Sequence, residues 1–313
     1  MRVGVTGISS DLGRALLPRL EADRSVERIV AIDVAAPQKA SPRVEFVRAD
    51  LTRPDAEADL VRTFRAAKLD ALYHLAFINS RVHGAAFAHE LEVIGTMHVL
   101  AAAQASSLRR LIIPSLTVVY GARRDGVAQH AEHHPLHGDG VRFVTDRVEV
   151  EHQVARYAER NPDTHVVVLR FAPIVGPHSD NPFTRLLRAR VVPTVLGFDP
   201  LWQVVHEADA GHALHLALSC DARGPFNVVG PGALPFSALL RQALVATTPL
   251  PAPVLRTTIR ALELVGVASV PVPLLDFLRY SWLADGRRAA ALLGFRPHTD
   301  IHHAMASTLA HKE

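Results

Sequence analysis

The chain has 313 residues, 49% hydrophobic and 21% charged, which suffices for one large core or a core plus a smaller lobe and argues against disorder. A formal charge of +3 with scattered basic residues leaves no nucleic-acid stripe with interleaved aromatics. One cysteine, Cys220, rules out an internal disulfide framework and, with no apolar signal segment at the start, points to a reducing cytoplasm.

The first element is a short apolar strand (Val3, Val5) that turns through Thr6-Gly7 into an amphipathic helix at about Asp11 to Leu20. Such a turn presents backbone N–H groups to a pyrophosphate at the positive end of a helix, and glycine is needed where a side chain would block the approach. Gly7 and Gly13 meet that need. A TGxxGxxG spacing puts Ser10 at the middle glycine, and a TGxxxGxG spacing puts Asp11 there. The first is preferred, because Ser10 is small and Asp11 would set a negative charge beside a phosphate. A second strand, Arg28 to Asp33, ends in an acid placed to accept hydrogen bonds from adenosine ribose hydroxyls and to repel a 2′-phosphate, which favours NAD over NADP. Strand three is Val44 to Val47, followed by Ala49-Asp50-Leu51, a polar helix at about 54–67 and a fourth strand, Asp70 to Ala76. A long helix at about 84–106 carries an apolar stripe through Phe87, Leu91, Ile94, Val99 and Leu100, and strand five is Leu111 to Ser115. This alternation predicts an α/β fold with a doubly wound parallel sheet covered on both faces.

Taken together, these phrases resemble the extended short-chain dehydrogenase/reductase family, the NAD-dependent epimerase/dehydratase group. The resembling pieces run nearly the whole chain in order: TGISSDLG, Asp33, Ala49-Asp50-Leu51, His74-Leu75-Ala76, Gly95-Thr96, Ser115 through Val119-Tyr120-Gly121, Glu132 with Pro135-Leu136, Leu169-Arg170 with Gly176-Pro177, Val205-His206 with Asp209, Phe226 to Gly230, and Leu293 to Pro297. The resemblance implies a Rossmann domain with a small C-terminal substrate lobe, a bound NAD and a small-molecule substrate. Gly7, Ser10 and Gly13 would hold the pyrophosphate, with Asp11 and Leu12 of the same turn also in the cofactor-binding set, Asp33 the adenosine ribose, Asp50 and Leu51 the adenine edge, and Leu75 and Ala76 the nucleotide floor. His74 resembles the packed histidine at the end of the family's fourth strand.

The chain departs from its relatives where they do chemistry. Family catalysis uses a Tyr-x-x-x-Lys pair on one helix face, the cation lowering the phenol's pKa so that it moves a proton as the nicotinamide moves a hydride. The matching segment reads Phe143-Val-Thr-Asp-Arg147. Phe143 has no ionisable group, and Arg147, although able to donate to a nicotinamide ribose, holds its proton too tightly to shuttle it. None of the four tyrosines has a lysine four residues on, and the only lysines are Lys39, Lys68 and Lys312. Four residues before Tyr120, where the family has Ser or Thr, stands Leu116, flanked by Ser115 and Thr117 on the opposite strand face. Glu92 replaces the asparagine common three residues before Gly95.

On the substrate side, Pro173 stands where sugar-nucleotide epimerases have an asparagine, and Trp202 where they have an arginine gripping a diphosphate. Phe171, Phe198, Leu201 and Trp202 are therefore expected to form an apolar pocket, with His178 or His137 as a replacement acid or base. The loop holding His130, His133, His134 and His137 fits no standard zinc spacing, so no metal is expected. The run from Thr248 to Leu283 is too proline-broken to span a bilayer and reads as helices of the small lobe. The expected division is 1–172 plus 203–219 for the NAD-binding domain, and 173–202 plus 220–313 for the substrate lobe and closing helix. A homodimer is expected through helices 84–106 and 142–161, the second carrying Val144, Val148, Val154 and Tyr157 on one stripe. Three functions stay open: oxidoreductase or isomerase chemistry with rebuilt acid–base groups, an NAD-binding sensor or partner subunit without turnover, and a non-redox cyclase or lyase.

Overall fold

A computed structural model describes residues 1–77, 85–138, 140, 142–264 and 272–310. In chain order the first half forms β1 (Arg2–Thr6), α1 (Asp11–Ala22), β2 (Arg28–Asp33), β3 (Val44–Arg48), α2 (Ala56–Ala67), β4 (Ala71–His74), α3 (Ala85–His89), a π turn (Glu90–Ile94), α4 (Gly95–Ala105), β5 (Arg110–Leu116), a 3-10 turn (Thr117–Tyr120) and α5 (Arg142–Arg160). The second half forms β6 (His165–Phe171), β7 (Ile174–Val175), α6 (Pro182–Arg188), β8 (Val191–Val195), β9 (Leu201–Trp202), β10 (Val205–His206), α7 (Glu207–Ala217), β11 (Gly224–Val228), β12 (Leu234–Pro235), α8 (Phe236–Gln242), β13 (Ala246–Leu250), α9 (Ala252–Leu264) and, near the end, α10 (Ile301–Leu309).

Seven parallel strands make one sheet in the order β11-β6-β5-β4-β1-β2-β3. Their continuous apolar runs require cover on both faces. On one face α1 and α7 bury Leu16, Leu20, Ala213 and Leu214; on the other α2, α4 and α5 bury Phe64, Val99, Ala103, Val150 and Val154. The strand order reverses between β1 and β4, where Thr6 pairs with both Ile32 and His74. That switch point opens a crevice beyond the carboxyl ends of the strands, which is where ligands bind in open α/β sheets.

Two expectations are corrected here. Gly224–Val228 is the seventh strand of the large sheet and Ala284, Ala289, Leu293 and Phe295 pack into its core, so 224–229 and 284–295 belong to the large lobe. The long helix expected at 84–106 is present from Ala85 to Ala105 with a π turn at Glu90–Ile94 within it, and 78–84 lies outside the described residues. Val144, Val148, Val154 and Tyr157 are 1%, 8%, 1% and 6% exposed, so the α5 stripe faces the core of its own chain instead of offering a dimer surface. The small lobe has a core of its own around Trp202, Phe183, Phe236 and Trp282, joined by Leu255 and Ile259 of α9 and by Leu275 and Phe277. Of the 248–283 run, 265–271 lies outside the described residues. Among those described, no helix is long and apolar enough to cross a membrane.

His74 is fully buried, with Nδ1 2.7 Å from Thr6 Oγ1 and Nε2 3.0 Å from Thr96 Oγ1. Burial, with a smaller contribution from Arg147, lowers its pKa to about 3. The unfolded chain therefore binds a proton that the folded chain refuses between the ordinary value, about 6.5, and that lowered one. Unfolding free energy from urea titrations is expected to fall as pH drops through this window, by at most about 1.4 kcal/mol per pH unit from this group. His130, lowered to about 4 mainly by burial, adds to the slope. His74→Asn should flatten the profile, and an unchanged slope would refute the assignment.

Candidate functional site

The crevice at the β1–β4 switch point begins with the turn after β1. Gly7 has φ +72°, and a Cβ there would lie 2.4 Å from Ala76 N, so only glycine lets the turn lie against the end of β4. Ser10 N-caps α1, its Oγ accepting from Gly13 N at 3.1 Å. Asp33 holds the same turn from β2, its Oδ2 accepting from Ser9 N at 2.9 Å and Ser9 Oγ at 2.7 Å. Asp50 closes its own turn by accepting from Thr52 N and Oγ1 at 3.0 and 2.7 Å.

These residues line a cleft of about 420 Å³. Of the expected binding residues, Gly7, Ser10, Asp11, Asp33, Asp50, Leu51 and Ala76 meet there. Gly13 instead packs helix to strand, Leu75 is 1% exposed beneath the floor and Leu12 packs on the core. Ser9, Arg14, Phe77, Phe87, Leu91 and Asp180 also line the cleft and were not anticipated. Ser9 and Arg14 flank the glycine turn and were within reach of sequence reasoning. Asp180 carries no local signal: it arrives from the small lobe, its N–H donating to Asp11 Oδ2 at 3.0 Å. Arg14 pairs with the Asp11 carboxylate and donates to Ser9 O at 2.7 Å. Burial raises the Asp11 carboxyl above its ordinary range, Asp180 and Glu207 adding to the effect while the Asp180 N–H and Arg14 oppose it.

Beyond Phe77 the side chains are closed on one another. Arg147 and Glu92, each 4% exposed, form an ion pair with Nε 3.1 Å from Oε2, and the guanidinium lies 4.1 Å over the Phe77 ring. Burial lowers the Arg147 pKa, and Glu92 opposes the fall. Two substitutions 55 positions apart are thus one contact. Arg147 lies behind Phe77 and is not itself among the residues lining the cleft. Ser115 Oγ donates to Glu151 Oε1 at 2.5 Å, and Glu151 is gripped by Arg170 through Nε at 3.0 Å and Nη2 at 2.6 Å. Arg170 Nη1 donates to Tyr120 Oη at 2.7 Å, which donates to Asn227 Oδ1 at 2.7 Å. Ser115 is therefore spent on a buried network and not free to meet a substrate. Thr117 is 2% exposed at the start of the 3-10 turn, while Phe143 and Leu116 pack against the small-lobe core.

Residues 3–230 match the model of the NAD dependent epimerase/dehydratase family. The chain belongs to this family. An uncharacterized protein of Mycobacterium tuberculosis (strain ATCC 25618 / H37Rv) is 32% identical over 305 residues, covering 94% of this chain and 79% of that one. Among solved structures, UDP-glucose 4-epimerase of Thermus thermophilus in complex with NAD superposes with a TM-score of 0.77 at 20% identity, over 100% of this chain and 99% of that one. A dTDP-glucose 4,6-dehydratase, DesIV of Streptomyces venezuelae, with NAD and TYD bound, gives 0.75 at 21% identity over 99% and 96%.

In this member of the epimerase/dehydratase family the residues expected to line an apolar pocket are divided between core and surface, Phe198 and Leu201 being 38% and 39% exposed. Phe171 and Trp202 are 0% and 1% exposed and Pro173 is buried with them, so they are core rather than pocket lining. Trp202 stacks on Phe236 at 4.4 Å and donates from Nε1 to Phe277 O at 3.3 Å. Phe171 fills the core of the large sheet and Trp202 that of the small lobe, needs that a one-dimensional pattern cannot separate from a ligand's. His178 sits outside the cleft in an exposed contact, Nδ1 2.8 Å from Glu207 Oε1. Open space on this side is a separate, polar cavity of about 460 Å³ lined by Arg123, Arg124, His137, Val144, Arg279 and Tyr280 among others. In the histidine loop His130 stacks on Tyr120 with centroids 4.7 Å apart, and among the described residues no group of three or more His, Cys, Asp or Glu is arranged for a metal.

Proposed function

We propose that the protein binds NAD along the switch-point cleft as a sensor or partner subunit and does not run the hydride–proton cycle of its family. Family membership and the NAD bound to the solved relatives support the cofactor. The carboxylate of Asp33, beside the glycine turn, supports NAD over NADP, because a 2′-phosphate would meet a second negative charge. The observation that carries the reading is the closed Glu92–Arg147 pair next to Phe143. The position of the proton-moving phenol holds a benzyl group, and the cation that would tune it is neutralised by a buried carboxylate. NAD, when bound, would supply the hydride chemistry of this family, and neither Phe143 nor the paired Arg147 would move the accompanying proton.

Calorimetric titration tests the reading. NAD is expected to bind at least about tenfold more tightly than NADP. Nicotinamide absorbance of the loaded protein should stay constant with sugar nucleotides and with apolar alcohols or ketones. Failure of NAD to bind would overturn the cofactor assignment, and an absorbance change would overturn the sensor role. A second reading, oxidoreductase or isomerase chemistry with His137 as acid–base group, is favoured by the place of His137 on the polar cavity beside Val144. It requires that any measured turnover disappear in His137→Ala.

Asp11 gives a further expectation. Its carboxylate lies on the cleft where the pyrophosphate would approach, and it holds Arg14. Asp11→Asn removes one negative charge, keeps an oxygen for the Asp180 N–H and frees the guanidinium for a phosphate. NAD affinity at neutral pH is expected to rise about tenfold, corresponding to about 1.4 kcal/mol. Weaker binding in the calorimeter would place the pyrophosphate elsewhere.

A further inference from the structure

We infer that this protein recognises the adenosine diphosphate half of its dinucleotide alone, so that the ligand class for the cleft is any adenosine diphosphate compound and the nicotinamide contributes almost nothing. The inference rests on the proposed dinucleotide reading and specifies it.

A dinucleotide lies across a switch point with one mononucleotide half on each side. The polar lining of this cleft is gathered on the β1–β3 side: Ser9, Ser10, Asp11 and Arg14 after β1, Asp33 at the end of β2 and Asp50 after β3. From the end of β4 onward the lining turns apolar, through Ala76, Phe77, Phe87 and Leu91. The other half would fall past β4, towards β5 and α5. Several of the described side chains there already have partners or lack polar atoms. Ser115 Oγ is bound to Glu151, Tyr120 Oη to Arg170 and Asn227, and Phe143 and Leu116 are hydrocarbon. Arg147, the charged donor that the fold places nearest, faces Glu92 on one side and the Phe77 ring on the other, and is 4% exposed.

A ribose and a carboxamide moved from water into such surroundings lose hydrogen bonds that these side chains do not return, and that loss offsets the modest burial of apolar surface. Opening the Arg147 pair to serve the ribose would take the guanidinium from the buried Glu92 carboxylate, a cost that exceeds one hydrogen bond. Affinity must then come from the adenosine and the two phosphates, which ADP, ADP-ribose and NAD share.

The test is calorimetry of the full chain with ADP, ADP-ribose, NAD and nicotinamide mononucleotide at one salt concentration. ADP and ADP-ribose are expected to bind within about fivefold of NAD, and the mononucleotide not to bind at millimolar concentration. In the variant Glu92→Asn/Arg147→Lys, an amide and a freer ammonium replace the closed pair, and the preference for NAD over ADP should rise by about tenfold. NAD binding more than about fivefold tighter than both ADP and ADP-ribose, binding of the mononucleotide alone, or an unchanged preference in the variant would overturn the inference and leave NAD binding intact. Failure of NAD, ADP-ribose and ADP alike would overturn it together with the proposed function.

Discussion

Arg147→Ala is expected to lower the unfolding free energy by about 3–5 kcal/mol, a large share of what a domain of this kind possesses. Removing the guanidinium takes its Arg147 ion pair from the Glu92 carboxylate, 4% exposed, inside the packing between the π turn and α5. The contact with the Phe77 ring disappears with it. Replacing both partners by hydrocarbon, as in Glu92→Leu/Arg147→Met, should cost much less than the single change, because no buried charge remains. Urea unfolding of the two single variants and the double measures the coupling directly. A loss below about 1 kcal/mol for Arg147→Ala would mean that water reaches the pair, and the closed end of the cleft described above would not exist.

Gly7→Ala is expected to abolish dinucleotide binding, reducing affinity by at least about a hundredfold, and to destabilise the fold by about 1–3 kcal/mol. Two causes act together. The backbone at φ +72° is one that an L side chain adopts only with strain, and the added methyl would lie 2.4 Å from Ala76 N. The turn must lift away from β4, and the floor of the cleft moves with it. Calorimetry with NAD and thermal unfolding of the same sample separate the two losses. Retained affinity would show that the ligand does not lie against this turn.

Some of this was legible residue by residue. The glycine turn, Asp33 at the end of β2 and Asp50 after β3 are local signals, because each depends on a strand end and the few residues after it. Their meeting in one cleft follows from parallel strands running in the same direction. That Phe143 and Arg147 stand where the resemblance leads one to expect a phenol and an ammonium could also be read directly, since it is a matter of composition at a position. The apolar pocket was misread for a physical reason: Phe171 and Trp202 are equally suited to line a ligand site or to fill a core, and they are buried in the core of the large sheet and that of the small lobe respectively. The dimer stripe on α5 failed similarly, because a buried stripe facing a sheet and one facing a partner have the same period.

Read as a string of residues, the chain already dictates the alternating strands and helices, the phosphate-binding turn and the absence of a phenol four residues before a lysine, because these are properties of short stretches. It took the folded molecule to show that Glu92 and Arg147 form one buried pair, that Asp180 reaches Asp11 from the other lobe, and that Gly224–Val228 completes the sheet. Contacts between residues 55, 169 and more positions apart are set by which faces bury together, and a linear chain does not display that.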